Sequence, residues 1–177
     1  MGDDIPAYTA DPAKFLEFTK ALFDAYWETN DPKKGVRMFH GFLQALLGGQ
    51  EFTCSFKGNC GDFLAVEADG SVYPCGKFSG IPEFYLGNVN VQPLAEILQN
   101  PVYTAWLDQR NRLPTRCQGC KYVKACNNGC TYERYLGDGR YAELSPYCDV
   151  WTGLYDHIDG RIQALREALA ERNAVMA

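Results

Sequence analysis

Residues 117–130 read CQGCKYVKACNNGC, four cysteines in fourteen positions with the spacing Cys-x2-Cys-x5-Cys-x3-Cys. The stretch is rich in Gly, Asn and Lys and too short and polar to bury a core of its own, so something other than apolar packing must order it. Thiolates converging on a metal centre provide that order. A tight turn between Cys117 and Cys120 lets both sulfurs face one point, which is why Cys-x2-Cys is a recurrent metal-binding unit.

Working outward, Cys54, Cys60 and Cys75 lie upstream and Cys148 downstream, giving eight cysteines in 177 residues. Eight thiolates make two sets of four, and two sets of four admit two metal centres. Four-cysteine zinc sites are commonly built from two Cys-x2-Cys knuckles, and this chain has one such pair. A 4Fe-4S cluster is a larger object that tolerates scattered ligands. Disulfides require an oxidising compartment that nothing else in the sequence suggests. Spacing alone leaves all three open, with iron-sulfur first, zinc second and disulfides third.

The rest of the composition is that of an ordinary globular protein: 46% hydrophobic, 22% charged, 17 Lys+Arg against 22 Asp+Glu, net charge −5. The acidic balance, without a Lys/Arg-rich face, argues against a nucleic-acid partner. No apolar run approaches the roughly 18–20 residues that cross a bilayer, so no membrane partner is expected. The start, Met1-Gly2-Asp3-Asp4, is acidic where a signal peptide is basic, and a cytoplasmic location follows as the expectation.

Asp11 caps a first helix with Pro12 at its opening position, and Phe15, Phe18, Leu22 and Tyr26 recur at the spacing of one buried face. A second helix spans about Val36 to Leu47, with Phe39, Leu43, Leu46 and Leu47 on one side, and stops at Gly48-Gly49. The period then changes: Phe63–Glu67 and Ser71–Cys75 flank Ala68-Asp69-Gly70, a β-hairpin with Gly70 at the positive φ of the turn. Gly76 to Gly87 reads as a loop. Pro93 opens a short helix (Leu94, Ile97, Leu98), and Asn100-Pro101 starts another to Arg112 with Trp106 and Leu107 inward. After Cys148 a long helix carries the stripe Val150, Leu154, Ile158, Ile162, Leu165 and Leu169. The expected fold class is α+β: helices flanking a small β-hairpin, with cysteine-rich loops that have to be ordered by something other than a core of their own.

Cys60-x9-Gly70-x4-Cys75, then Cys117-x2-Cys120-x5-Cys126-x3-Cys130, then Cys148, resembles the seven-cysteine signature of the SPASM domain. That domain is the C-terminal extension of radical S-adenosylmethionine (SAM) enzymes that modify peptides and proteins. Cys54, six positions before Cys60, matches the eighth ligand of the anaerobic sulfatase-maturating enzymes. The resemblance covers about Phe52 to Trp151. It implies three regions: 1–51, a helical lead-in similar to the end of a radical SAM barrel and its bridge; 52–151, the SPASM domain; and 152–177, a C-terminal helix. It also implies two auxiliary 4Fe-4S clusters with crossed ligands, Cys54, Cys60, Cys75 and Cys130 for the first and Cys117, Cys120, Cys126 and Cys148 for the second. With four thiolates each, neither cluster has an open iron, so electron transfer or structural support is the implied role.

Two departures limit what carries over. A radical SAM site needs Cys-x3-Cys-x2-Cys, and here Cys126 and Cys130 are followed by Glu133 at the third position. The chain is therefore expected to be inactive alone, with no catalytic residue of its own, as a C-terminal fragment or a free-standing partner of a catalytic subunit that binds S-adenosylmethionine. The barrel itself would take roughly 200 residues or more. In sulfatase maturases an aspartate follows the cysteine that closes the hairpin and is proposed to take the substrate proton, whereas this chain has Gly76. The expected function is an auxiliary-cluster domain of a maturase that oxidatively modifies a ribosomally made peptide or protein, with formylglycine formation in doubt. The implied partners are the catalytic domain, fused or separate, the peptide substrate, and a flavodoxin or ferredoxin donor. The alternatives are a non-catalytic, metal-stapled peptide-binding module and a free-standing electron carrier.

Other residues take plainer readings. His40 and His157 sit in helices with no ligand pattern and read as structural. Lys121 and Lys124 could offset thiolate charge, though a solvated loop face is the simpler reading. Asp62 and Glu83 read as solvated carboxylates. Tyr73, Phe78, Phe84, Tyr85, Tyr122, Tyr132, Tyr135 and Tyr147 flank cysteines and read as core or as shielding of a metal centre. Asn127-Asn128-Gly129 reads as a tight loop whose N–H groups can face cluster sulfur.

Overall fold

The computed structural model describes residues 10–31, 33–49, 53–138 and 144–176. The acidic start at Met1–Asp4 and the boundary at Glu51/Phe52 lie outside the described residues. Asp11 Oδ1 accepts the Lys14 N–H at 2.9 Å and Pro12 opens helix α1 (Pro12–Thr29), as the capping pattern predicts. The buried face of α1 matches the expected one only in part: Phe15 packs on Tyr147 and Trp151, and Tyr26 on the core. Thr19 and Phe23 are buried and Leu16, Tyr26 and Trp27 pack beside them, whereas Phe18 and Leu22 are exposed. Two apolar stripes at three-and-four spacing run along this helix, and periodicity cannot say which one finds a partner.

Helix α2 (Arg37–Leu46) buries Phe39 and Phe42 with Leu43 and Leu46 alongside; Leu47 lies past its end and is exposed. One turn, α3 (Cys54–Lys57), follows and buries Phe56. The hairpin is present and carries a third strand. Strand β1 (Ala65–Val66) pairs antiparallel with β2 (Ser71–Tyr73), and β2 pairs antiparallel with β3 (Gly87–Asn88), so the expected loop to Gly87 ends in the sheet. Gly70 has φ +85°, and a Cβ there would collide with the Asn88 and Asn90 side chains, which both donate to the Asp69 carbonyl at 2.9 Å.

Helix α4 (Leu94–Ile97) and helix α5 (Pro101–Asn111) start after Pro93 and Asn100; Asn100 Oδ1 caps α5 by accepting the Val102 N–H at 2.8 Å. Short turns α6 (Thr115–Gln118) and α7 (Val123–Cys126) carry the central cysteines, followed by α8 (Thr131–Asp138) and the long α9 (Cys148–Met176). The described part is mostly helical with one small three-stranded antiparallel sheet.

Two apolar cores result. The first joins α1, α2 and α9 through Phe23, Phe39, Phe42, Leu154, Tyr155 and Ile158, all at 0% exposure, and reaches Phe56 and Tyr122. Each such burial contributes roughly 1.5–3 kcal/mol. Leu16 of α1 sits against Gly153 of α9, where a Cβ would lie 2.8 Å from the leucine Cδ2, so this glycine sets the close approach of the two helices. The second core holds Val72, Phe78, Phe84, Leu86, Ile97, Tyr103 and Trp106 between the sheet, α4 and α5. On α9 the stripe Val150, Leu154, Ile158 and Ile162 is buried as expected, but Leu165 and Leu169 are 47% and 43% exposed because no other described element covers that part of the helix.

Candidate metal centres

Local structure places the first four cysteines. Cys54 starts α3, and Cys60 follows two residues after Gly58, which ends that turn at φ +74°. Cys75 follows β2 and leads into a single 3-10 turn, Gly76–Phe78, which buried Phe78 anchors to the second core. Cys130 immediately precedes α8 and is buried. These four line one cavity of about 470 Å³, whose wall also includes Phe63, Leu64, Pro74 and Trp106. Lys77 Nζ donates to Cys130 Sγ at 3.4 Å, and Thr131 Oγ1 donates to Cys60 Sγ at 3.4 Å. Burial pushes the Cys54 thiol up, Cys60 and Cys130 add to that, and Lys77 and Arg110 oppose it. Burial likewise raises Cys75, with Cys130 and Cys60 acting in the same direction.

Cys117 lies in α6, Cys120 in the turn after it, Cys126 at the end of α7 and Cys148 at the start of α9. The Cys126 thiol is pushed up to about 12, first by burial and then by Cys148, Cys117 and Cys120. Burial raises Cys148, with Cys117 and Cys120 acting the same way and Arg116 opposing. Cys117 is raised by burial and by Cys120, against Arg134 and Arg116. The thiols thus interact in two groups of four. Cys60 and Cys75 pack on the second core, and Cys120 and Cys126 on the first.

A short left-handed run separates the two groups. Asn127, Asn128 and Gly129 have φ of 48°, 69° and 70°, a conformation that Asn and Gly tolerate best. Asn127 Nδ2 donates to the Phe56 carbonyl at 2.6 Å, and Asn128 Nδ2 to the Arg112 carbonyl at 2.8 Å, which locks the reversal to α3 and to the end of α5. The sequence indicated a tight loop here; what it positions is the divergence of Cys126 and Cys130.

The cations differ from those weighed in the sequence. Lys121 pairs with Asp156 at 2.6 Å and lies over the Tyr122 ring, away from the thiols. Lys124 lines an open cleft of about 780 Å³ with Lys57 and Lys121, and no cysteine lines it. The charges felt by the thiols come from Lys77, Arg110, Arg116 and Arg134. Lys77, the second residue after Cys75, and Arg116, immediately before Cys117, were within reach of sequence reasoning, whereas Arg110 and Arg134 stand farther from any cysteine and gave no signal. Gly76 borders the first cavity. Asp62 is exposed and accepts from Asn59 Nδ2 at 2.9 Å, and Glu83 is exposed. His157 pairs with Asp24 at 2.9 Å, and His40 packs beside Tyr26, as structural residues. Among the described residues no group of three or more His, Cys, Asp or Glu is drawn closely enough together to hold a single ion.

Two groups of four thiols, one around a cavity, prompt comparison with known cluster-binding proteins. Residues 54–121 match the SPASM family, an iron-sulfur cluster-binding domain. The SPASM match takes in Cys54, Cys60, Cys75, Cys117 and Cys120, and stops short of Cys126, Cys130 and Cys148. The chain is 29% identical over 157 residues to a cysteine-type anaerobic sulfatase-maturating enzyme of Clostridium perfringens, covering 88% of this chain and 42% of that protein. It is 25% identical over 170 residues to a serine-type anaerobic sulfatase-maturating enzyme of Bacteroides thetaiotaomicron, covering 94% and 41%. The solved structure of native anSMEcpe with bound AdoMet and Cp18Cys peptide superimposes with a TM-score of 0.78 at 26% identity, covering 95% of this chain and 47% of that one. The chain therefore spans about two-fifths of the length of these curated relatives. No helix among the described residues is long and apolar enough to cross a membrane.

Proposed function

We propose that this chain is the auxiliary-cluster part of a radical SAM maturase and holds two 4Fe-4S clusters, one on Cys54, Cys60, Cys75 and Cys130 and one on Cys117, Cys120, Cys126 and Cys148. The observation that carries the reading is the grouping of eight thiols into two sets of four, one of which surrounds a cavity with an otherwise largely apolar wall. The thiols fit the group: soft sulfur donors suit iron-sulfur clusters, and Phe56, Phe78 and Tyr122, next to them in sequence, anchor their turns in the two cores. When bound, such clusters take up and pass on single electrons. The chain's own residues supply the ligands, exclude water with Leu64, Pro74 and Trp106, and place positive charge beside the sulfurs.

The likeness to sulfatase-maturating enzymes supports peptide or protein modification as the activity of the whole assembly, with the catalytic barrel, the substrate and an electron-carrier protein as partners. Gly76 carries no group to take a proton at the mouth of the first cavity. This favours a modification other than formylglycine formation, or a base supplied from outside this chain. Anaerobic reconstitution with iron and sulfide counting tests the reading. About eight iron atoms per chain supports it, and a colourless protein with two zinc ions overturns it.

A further inference from the structure

We infer that Lys77 is a positioning residue that sets the reduction potential of the group held by Cys54, Cys60, Cys75 and Cys130. The inference rests on the proposed clusters and adds to them a role for one side chain. Lys77 follows Cys75 by two residues, in the 3-10 turn whose last residue, Phe78, is fully buried against Phe84, Trp106, Tyr132 and Tyr135. That anchor fixes the direction in which Lys77 leaves the backbone. Its Nζ then lies 3.4 Å from Cys130 Sγ, 3.9 Å from Glu133 Oε1 and 5.9 Å from the centre of the Tyr132 ring. Glu133 is itself fixed: its side chain is 13% exposed, and Oε2 accepts from Ser145 Oγ at 2.9 Å and Trp151 Nε1 at 3.2 Å. The ammonium is thus held at the one buried thiol of the cavity by a carboxylate that cannot swing away.

The Lys77 side chain is 49% exposed, yet its Nζ is turned onto a cysteine sulfur, whereas Lys121, also in a cysteine-rich loop, is turned onto Asp156. An ammonium donating to a ligand sulfur draws electron density from it and favours the state carrying one more electron, which raises the potential. The electron comes from a reduced one-electron carrier protein, which is oxidised in turn, or from the electrode of a titration, and its uptake adds one negative charge beside Lys77. Thr131, donating to Cys60 Sγ across the same cavity, acts in the same direction with a neutral hydroxyl.

The test is a spectroelectrochemical titration of the anaerobically iron-loaded chain, comparing wild type with Lys77→Met and Lys77→Arg. In Lys77→Met one of the two reduction steps moves to lower potential, the other stays, and the iron content is unchanged; Lys77→Arg restores most of the shift. Two unmoved steps, two steps moved together, or an upward shift overturns the inference. So does a Lys77→Met protein that loads half the iron, because Lys77 would then be a fold determinant. A wild-type chain that takes up zinc and no iron removes the reading beneath, whereas unmoved steps in an iron-loaded chain remove this inference alone.

Discussion

Cys126 and Cys130 stand four residues apart in the chain and face different neighbours. Cys126 lies with Cys117, Cys120 and Cys148, while Cys130 shares a cavity wall with Cys54, Cys60 and Cys75. The left-handed run Asn127–Gly129 between them makes this possible. Distance along the chain is then the wrong guide to which cysteines act together. We predict that Cys126→Ser combined with Cys148→Ser loses no more iron than either alone, leaving about four of about eight atoms. Cys126→Ser combined with Cys130→Ser should lose nearly all of it. Iron counting after anaerobic reconstitution checks this, and equal losses from the two double variants would contradict the grouping.

The hairpin turn is a second place where one residue decides. Gly70→Ala forces an L side chain into a left-handed conformation, which costs about 1–2 kcal/mol. It also drives a methyl group into Asn88 and Asn90, whose hydrogen bonds tie β3 to the turn. A loss of at least about 1 kcal/mol in chemical denaturation of the reconstituted chain is expected; unchanged stability would mean the turn readily takes another form.

Much of this architecture was legible because it rests on local rules. Asp11-Pro12, Asn100-Pro101 and Gly70 mark caps and turns by backbone chemistry alone, and each stands where the pattern put it. The cysteine spacing led to the SPASM family. What could not be read depends on partners remote in sequence. Phe18 and Leu22 are as apolar as Phe23, and partners far down the chain, Phe39 on α2 and Gly153 and His157 on α9, select the face bearing Leu16 and Phe23. Strand β3 has two residues and no alternation to reveal it. Lys121 sits between Cys120 and Cys126 in sequence, yet Asp156 on α9 claims its charge.

Glu133 ties α8 to the start of α9. Its Oε2 accepts from Ser145 and Trp151, and the Ser145 carbonyl accepts the Cys148 N–H at 2.9 Å. Glu133→Ala leaves the Trp151 N–H of a largely buried site without its partner, a loss of about 2 kcal/mol. Glu133→Gln keeps an acceptor in place and should lose clearly less. Thermal unfolding of the three reconstituted proteins measures the order. Equal destabilisation by Gln and Ala would show that charge, rather than the hydrogen bonds, holds this corner.

Asp24 gives the fold an acid limit that does not involve the cysteines. Burial pushes its carboxyl up, but hydrogen bonds from His157 and Arg161, together with their charges, outweigh burial and hold it below the usual carboxylate range. A carboxyl whose pKa is lower folded than unfolded stabilises the fold fully above its unfolded value and loses that contribution as pH falls through the folded value. The difference in unfolding free energy between wild type and Asp24→Asn should therefore be present at neutral pH and shrink below about pH 4. Because the site is partly open to solvent, the neutral-pH difference should be on the order of 1 kcal/mol. Both proteins carry the same eight cysteines, so acid loss of metal cancels in the comparison. A difference that grows toward low pH would have the wrong sign for a stabilised carboxylate and would assign the contact between α1 and α9 to apolar packing rather than to this ion pair.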